Sequence, residues 1–246
     1  MQHHIGSSVI WFDETDSTNN LLKDWADADK SKDGMVICAR YQTAGRGQNG
    51  SKWEGNFNEN LALSIMLFPH KIEAIEQVKL NIAVALGVRD YVSSRVKEDV
   101  FVKWSNDIFV GDKKISGILI ENNLQGEYIR QSIIGIGLNV NQQTFNTEKA
   151  VSLSQITEKK YQPEEELSIL LEALQKRINS IYLVEKSWLI LQYEKVMYRI
   201  NQRTKFQSGD KIFEGIPLGI DSFGNLKVET NAGVLTFRNK EVVWLE

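Results

Sequence analysis

The sequence predicts an α+β fold: a mixed, mainly antiparallel sheet with packed helices, followed by a small C-terminal β-barrel. Three observations carry this expectation. Apolar, strand-like runs between residues 100 and 140 follow one another through tight turns, which joins neighbours antiparallel. The stretch from Ile72 to Val96 places Ile72, Ile75, Val78, Ile82, Ala85, Leu86 and Val92 at helical period, as a long core helix requires. From Thr204 the style changes to short apolar runs punctuated by glycine, the pattern of a small barrel or sandwich.

The elements follow in chain order. Asp16-Ser17-Thr18-Asn19 is an N-cap cluster, with Leu21, Leu22 and Trp25 behind it at helical spacing, so a short helix runs to about Ala28. Residues 34–42 and 60–68 read as strands flanking a glycine-rich loop. After the long helix, strands are expected from Val100 to Trp104, Ile108 to Val110, Lys114 to Ile120 and Tyr128 to Val140. Gly111-Asp112 and Gln125-Gly126 supply the hairpin turns. Residues 141–162 are polar and loop-like. Pro163, followed by Glu164, Glu165 and Glu166, starts a helix, with proline at the first position and acids in the first turn. Apolar periodicity then continues as two helices to about Ile200. The terminal strands are Ile212-Phe213, Ile216 to Ile220, Leu226 to Val228, Val234 to Phe237 and Val242 to Leu245. The expected division is residues 1–200 and 201–246.

At 246 residues, with 42% hydrophobic and 25% charged side chains, the chain has ordinary globular proportions. A net charge of −3 gives no overall basic field to draw it to nucleic acid or membrane. The only cysteine, Cys38, excludes an internal disulfide and favours a reducing, cytoplasmic setting; inside a strand-like run it reads as a small buried apolar residue. No signal peptide opens the chain, and no apolar run approaches bilayer-spanning length. His3, His4 and His70 are the only histidines, which argues against a zinc site or a serine–histidine nucleophile.

The chemistry concentrates in four segments. Thr43 to Trp53 holds Gly45, Gly47 and Gly50, the cations Arg46 and Lys52, and a tryptophan. Glycines let a backbone approach a ligand, cations offset anionic oxygens, and an indole walls off a flat ring. The G-x-G-x-x-G spelling is not a dinucleotide fingerprint, because turn residues and another strand, not a helix, follow the glycines. Lys103-Trp104-Ser105-Asn106-Asp107 offers a cation, an amide and a carboxylate between two strands, where an exposed turn is the plain alternative. Lys114 begins a strand with Gly117 three residues on, and an ordinary surface lysine is the alternative there. Gly135 and Gly137, at alternate positions, leave one strand face bare and make room for a flat ligand.

Taken in order, these segments resemble the biotin protein ligases, of the biotin–[acetyl-CoA-carboxylase] ligase type. The family patterns are D-S-T-N, Q-x-A-G-R-G-x-x-G-x-x-W, K-W-P-N-D, K-x-x-G-I-L-x-E and I-G-x-G-x-N. They fall on Asp16–Asn19, Gln42–Trp53, Lys103–Asp107, Lys114–Glu121 and Ile134–Asn139. The resemblance spans residues 13–141, and more loosely the terminal segment around Gly215 to Gly224. Two departures stand out. Gln48, Asn49 and Ser51 replace arginines common in the glycine loop, and Ser105 replaces the usual proline.

The resemblance implies a class II aminoacyl-tRNA synthetase/biotin ligase-like catalytic domain with an SH3-like terminal barrel. It implies biotin and ATP as substrates, with Mg²⁺ carried by the ATP phosphates. Biotin would be activated as biotinyl-5′-AMP, then passed to a lysine of a biotin carboxyl carrier protein of acetyl-CoA carboxylase or another biotin-dependent carboxylase. Carried over by position, Lys114, Arg46 and Lys103 are the catalytic cations. Ser17, Thr18, Asn19, Gln42, Gly45, Arg46, Gly47, Gln48, Lys114, Gly117 and Gly135 hold biotin. Arg46, Trp53, Asn106, Lys114 and Asn139 hold ATP and the adenylate, and no protein metal ligand is implied. Two alternatives remain at residue level: Ser17 and Thr18 cap a helix, and Trp53 anchors its loop. The glycine loop is expected to be mobile when empty and to order over the adenylate. With only about fifteen residues before Asp16, no DNA-binding module and no DNA partner are expected; a homodimer through sheet edges is possible. The rivals are a lipoate ligase or octanoyltransferase, whose R-R-x-x-G-G-G loop is missing from the sequence, and a non-catalytic biotin-binding module.

Overall fold

A computed structural model describes residues 3–69 and 71–245; His70 lies outside the described residues. The first half of the chain runs β1 (Ser8–Thr15), α1 (Thr18–Asp27), β2 (Met35–Gln42), β3 (Leu61–Leu67), α2 (Gln77–Ser93), β4 (Val100–Lys103), β5 (Asp107–Val110), β6 (Lys113–Gln125) and β7 (Tyr128–Leu138). Three helices follow: α3 (Leu153–Thr157), α4 (Pro163–Ser180) and α5 (Lys186–Glu194). The strands form a seven-stranded sheet in the order β1-β2-β3-β7-β6-β5-β4. β1 lies parallel to β2, and every other neighbouring pair is antiparallel, so the sheet is mixed and mainly antiparallel as expected.

Helices cover both faces. On one, Leu22 of α1 packs on Met35, Ile37, Met66 and Ile133. On the other, the long helix α2 joins α4 and α5 over the main core, which includes Val36, Leu63, Ile65, Ile134 and Ile136. Neighbours along a strand alternate between the two cores, Val36 with Ile37 in β2 and Ile134 with Ile133 in β7. That is the period-two signature of strands buried on both faces. α1 covers only part of its face. Further along β7 the same face carries Gly135 and Gly137, and that bare stretch is where the site forms.

Where the structure departs from expectation, local chemistry explains it. β1, over Ser8-Val9-Ile10-Trp11-Phe12-Asp13-Glu14-Thr15, is a strand beyond those expected; it lies at an edge and is at most half-buried, so its apolar alternation is blurred. The long helix starts at Gln77 after a single 3-10 turn, Ala74–Glu76, and Ile72 is buried as an anchor ahead of it. Within the polar stretch 141–162, the short helix α3 is set by a capping box: Ser152 Oγ accepts from Gln155 N at 3.2 Å, and Gln155 Oε1 accepts from Ser152 N at 3.1 Å.

The terminal strands are β8 (Thr204–Ser208), β9 (Lys211–Ile220), β10 (Leu226–Thr230), β11 (Gly233–Phe237) and β12 (Val243–Leu245). β9 is one continuous strand where two were expected. Its first half pairs with β8 up to Gly215, and its second half pairs with β10 from Ile216. Pro217, which has no N–H to donate, falls beside a register shift in that second ladder. The expected barrel is an open five-stranded sheet, β11-β10-β9-β8-β12, whose outer strands do not pair with each other among the described residues. It docks through aromatic contact: the Trp244 ring on β12 lies 6.1 Å from that of Tyr198.

Candidate functional site

A cavity of about 450 Å³ opens over the uncovered part of the α1 face, a size that suits a small organic ligand. Its floor is the sheet at Gly117, Gly135 and Gly137. A Cβ at Gly135 would overlap Asn19 Oδ1, and one at Gly137 would overlap the Trp53 ring. Only glycine fits either place. The flat group above Gly137 is therefore the chain's own indole, a correction to the expectation of an open face there. The Trp53 N–H is buried without a hydrogen-bond partner among the described residues, an orphaned donor within the site.

The start of α1 supplies one wall. Ser17 sits at the N-cap in extended conformation, yet its side chain makes no cap hydrogen bond. Its hydroxyl is not used by the helix, so the capping alternative does not hold for it. Gln42 at the end of β2 accepts from Thr18 N at 2.8 Å and from Thr18 Oγ1 at 3.2 Å. Beneath, the hydroxyl of Ser64 lies 2.7 Å from Thr18 Oγ1 and 2.5 Å from Asn19 Oδ1. Asn19 Nδ2 donates to Glu121 Oε2 at 2.6 Å. The Asn19 and Gln42 amides and the Thr18 and Ser64 hydroxyls are thus each held by a neighbour and cannot rotate freely.

The glycine loop forms the opposite wall. A single 3-10 turn, Gln48–Gly50, is the only helical structure on its glycines. Gly45 lies behind the cavity, not in its lining: its carbonyl accepts from Trp53 N at 2.9 Å, and a Cβ there would lie 2.5 Å from the Trp53 carbonyl. Arg46 donates to Asn20 Oδ1 at 2.6 Å and lies 3.5 Å from Glu121 Oε2. Asn20 in turn donates to Asp16 at 2.6 Å, and that hydrogen bond is the main reason the Asp16 carboxyl titrates below its ordinary range. From the sheet, Lys114 Nζ pairs with Asp107 Oδ1 at 2.8 Å and sits 5.9 Å from the Trp53 ring centroid. Asn106 reaches the Ile118 carbonyl and accepts from Ser105 Oγ at 2.6 Å; the Trp104–Ser105 peptide is cis.

The cavity brings together Ser17, Thr18, Asn19, Gln42, Arg46, Gly47, Gln48, Trp53, Asn106, Lys114, Gly117 and Gly135. Besides Gly45, two expected residues are elsewhere. Lys103 is turned onto Phe109 and Tyr198, with its ammonium 4.7 Å and 5.7 Å from the two ring centroids and the Asp112 carboxylate within its field. Two aromatic faces and an acid hold it away from the lining. Asn139 is buried behind the floor, where Nδ2 donates to the Val151 carbonyl at 3.1 Å and clips the following loop in place.

Sequence reasoning missed Ser64, Asp107 and Glu121 as partners within the site, and Asn239, Lys240, Val242 and Val243 in the lining; Lys52, singled out as a loop cation, lines the cavity too. Ser64 carried a signal, since it is a lone hydroxyl in the otherwise apolar β3. Asp107 and Glu121 stood inside motifs already singled out. Asn239 to Val243 carried none. No cluster of three His, Cys, Asp or Glu side chains able to hold a metal occurs among the described residues.

Comparison with known proteins places the chain in a family. Residues 11–139 match the biotin/lipoate A/B protein ligase family, and residues 200–241 match the biotin protein ligase C terminal domain. The chain is 30% identical to the bifunctional ligase/repressor BirA of Bacillus subtilis over 236 residues, covering 94% of this chain and 72% of that protein. It is 31% identical over 132 residues to the biotin–[acetyl-CoA-carboxylase] ligase of Mycobacterium tuberculosis, covering 52% and 48% of the two chains. The structure of the Aquifex aeolicus biotin protein ligase in complex with biotin and ATP superposes with a TM-score of 0.82 at 27% identity, covering 98% of this chain and 99% of that one.

The chain belongs to the biotin/lipoate A/B protein ligase family. Within that family it is a biotin–protein ligase, an ATP-using enzyme that forms a carbon–nitrogen bond.

Proposed function

We propose that this cavity carries both halves of the ligation, with Lys114 and Arg46 as its working cations. In the first half, a biotin carboxylate oxygen attacks the α-phosphorus of ATP, the bond to the bridging oxygen breaks, and pyrophosphate leaves. In the second, the amine of an acceptor lysine attacks the acyl carbon of biotinyl-5′-AMP, AMP leaves, and an amide remains. The acceptor on this reading is the carrier domain of a biotin-dependent carboxylase, and the setting is cytoplasmic, consistent with Cys38 being a free thiol.

The physical obstacle is bringing a carboxylate against a polyanion. Lys114 and Arg46 line one cavity, each resting on a carboxylate that a phosphate can replace. That placement is the observation that carries the reading. Mg²⁺ enters with the ATP phosphates as part of the substrate. Gln42 commits its oxygen to Thr18, which leaves its NH₂ and the Ser17 hydroxyl to meet a urea-type ring. The unpartnered Trp53 N–H suits an acceptor atom of the ligand. Lys103 and Asn139 take no direct part, and residues 1–200 and 201–246 act as catalytic and terminal domains.

Biotin-dependent exchange of labelled pyrophosphate into ATP tests the first half, and transfer to a purified carrier domain tests the second. Exchange driven by lipoate instead of biotin would redirect the assignment within the family. Biotin binding without exchange would reduce the chain to a binding module.

A further inference from the structure

We propose that Asn20, on the first turn of α1 and outside the cavity lining, is a positioning residue for Arg46: its amide aims the guanidinium, and Asp16 aims the amide. This rests on the ligase reading above, in which Arg46 is a working cation. Three features of the structure carry it.

The first is the geometry around Arg46. Its side chain is nearly half exposed, so packing alone does not fix its rotamer. The contact with Glu121 Oε2 is long, at 3.5 Å, whereas that with Asn20 Oδ1 is 2.6 Å. The amide, more than the acid, therefore sets the direction of the guanidinium. A neutral acceptor orients a cation without cancelling its charge. When a phosphate displaces Glu121, Asn20 still holds the other side.

The second is the orientation of the amide itself. An asparagine can present either its oxygen or its NH₂, and an NH₂ facing Arg46 would set donor against donor. Asn20 Nδ2 donates to Asp16 Oδ2 at 2.6 Å, one helical turn back, and Thr15 Oγ1 donates to Asp16 Oδ1 at 3.2 Å. An ionised carboxylate only accepts, so it selects the NH₂ and leaves Oδ1 for Arg46. Because the Asp16 carboxyl titrates below its ordinary range, that selection persists at neutral pH.

The third is how the same segment grips the loop. Thr43 N donates to the Thr15 carbonyl and Ala44 N to the Asp16 carbonyl, both at 2.9 Å. Residues 15–20 thus hold the glycine loop at its root through backbone and at Arg46 through Asn20. The adjoining Thr18 and Asn19 are bonded to Gln42 and Glu121. One helical turn thereby fixes the ring-binding wall and the phosphate-facing cation relative to each other.

The test is a double-mutant cycle on the full chain, with pyrophosphate exchange measured against MgATP and against biotin for Asn20→Ala, Arg46→Ala and the double variant. Asn20→Ala should lower kcat for exchange by about tenfold, as loss of a hydrogen bond to a charged group does, with the KM for biotin within about twofold of wild type. Arg46→Ala should lower it by about a hundredfold, and the double variant should be no worse than Arg46→Ala by more than about twofold. Asp16→Asn, which removes the selection but leaves Asn20, should show a smaller loss of the same kind. Wild-type exchange in Asn20→Ala overturns the proposal. So do losses that multiply in the double variant, since they would mark a structural role independent of Arg46. Wild-type protein that shows no exchange overturns the ligase reading, and this proposal with it; normal exchange that depends on Arg46 but not on Asn20 overturns this proposal alone.

Discussion

Lys114 enters the cavity from the first residues of β6, where Asp107 across the hairpin fixes its ammonium at 2.8 Å. Removing a preorganised cation that faces developing charge typically lowers the rate by about a hundredfold or more. Lys114→Ala should therefore lose pyrophosphate exchange to that extent, while its circular dichroism and unfolding temperature match wild type, because the residue is only partly buried. Gly137 offers a steric test. A methyl group there would overlap the Trp53 ring, so Gly137→Ala must displace the indole. Its tryptophan emission should shift and its ATP affinity should fall by about tenfold. Much of this site was legible in the sequence, because its residues cluster in contiguous motifs whose spacing reflects strand ends and tight turns. Ser64 and Lys240 were not. A single serine in a strand or a lysine in a distant turn acquires meaning only when tertiary folding sets it beside Thr18 or in the lining of the cavity. Lys103 was misplaced for the converse reason: its motif suggested chemistry, but two aromatic rings offered its ammonium a better seat.

Among the elements, α2 and α5 are joined at Glu76, which accepts from Lys186 Nζ at 2.6 Å and also pairs with Lys79. The Lys186 hydrogen bond, and then that of Lys79, holds the Glu76 carboxyl below its ordinary value near 4.5. A carboxyl lowered by folding binds fewer protons in the native state than in the unfolded chain. Its stabilising contribution is therefore present above the ordinary value and is lost as pH falls through the native one. Glu76→Gln should destabilise the protein modestly at neutral pH and flatten its loss of stability below about pH 4.5, read from urea unfolding at several pH values. Helices and central strands were legible because a buried face imposes a sharp period. β1 and the unbroken course of β9 were not: one is a weakly buried edge, and the other changes partners at Gly215, which resembles a break when the chain is read locally.

At the scale of the molecule, the terminal sheet is fastened to the catalytic part by rings and by hydrogen bonds, Asn239 Nδ2 to Gln48 Oε1 at 2.9 Å among them. Trp104 Nε1 donates to the Gly224 carbonyl at 2.9 Å, and Ile220 N donates to Glu194 Oε1 at 2.9 Å. Phe206, fully buried, stacks on Phe213 at 5.6 Å and meets Trp244 at 4.9 Å. Phe206→Ala should cost about 3–5 kcal/mol, seen in chemical unfolding, and should impair exchange as well as stability, because the turn at Asn239 belongs to the same terminal unit. The two sheets and their order along the chain were predictable from the change of style near Thr204. The open edges of the second sheet, and its reach into the cavity, depend on how the pieces dock and leave no local mark.

The pairing of each working cation with a tethered acid has a further effect. While its acid stays in place, each of these two cations is close to balanced and holds little attraction for free phosphate or stray acids in the cell. Only a molecule that can dislodge Glu121 and Asp107 together gains both partners. Discrimination against common small anions is thus built into the resting state, before any substrate arrives.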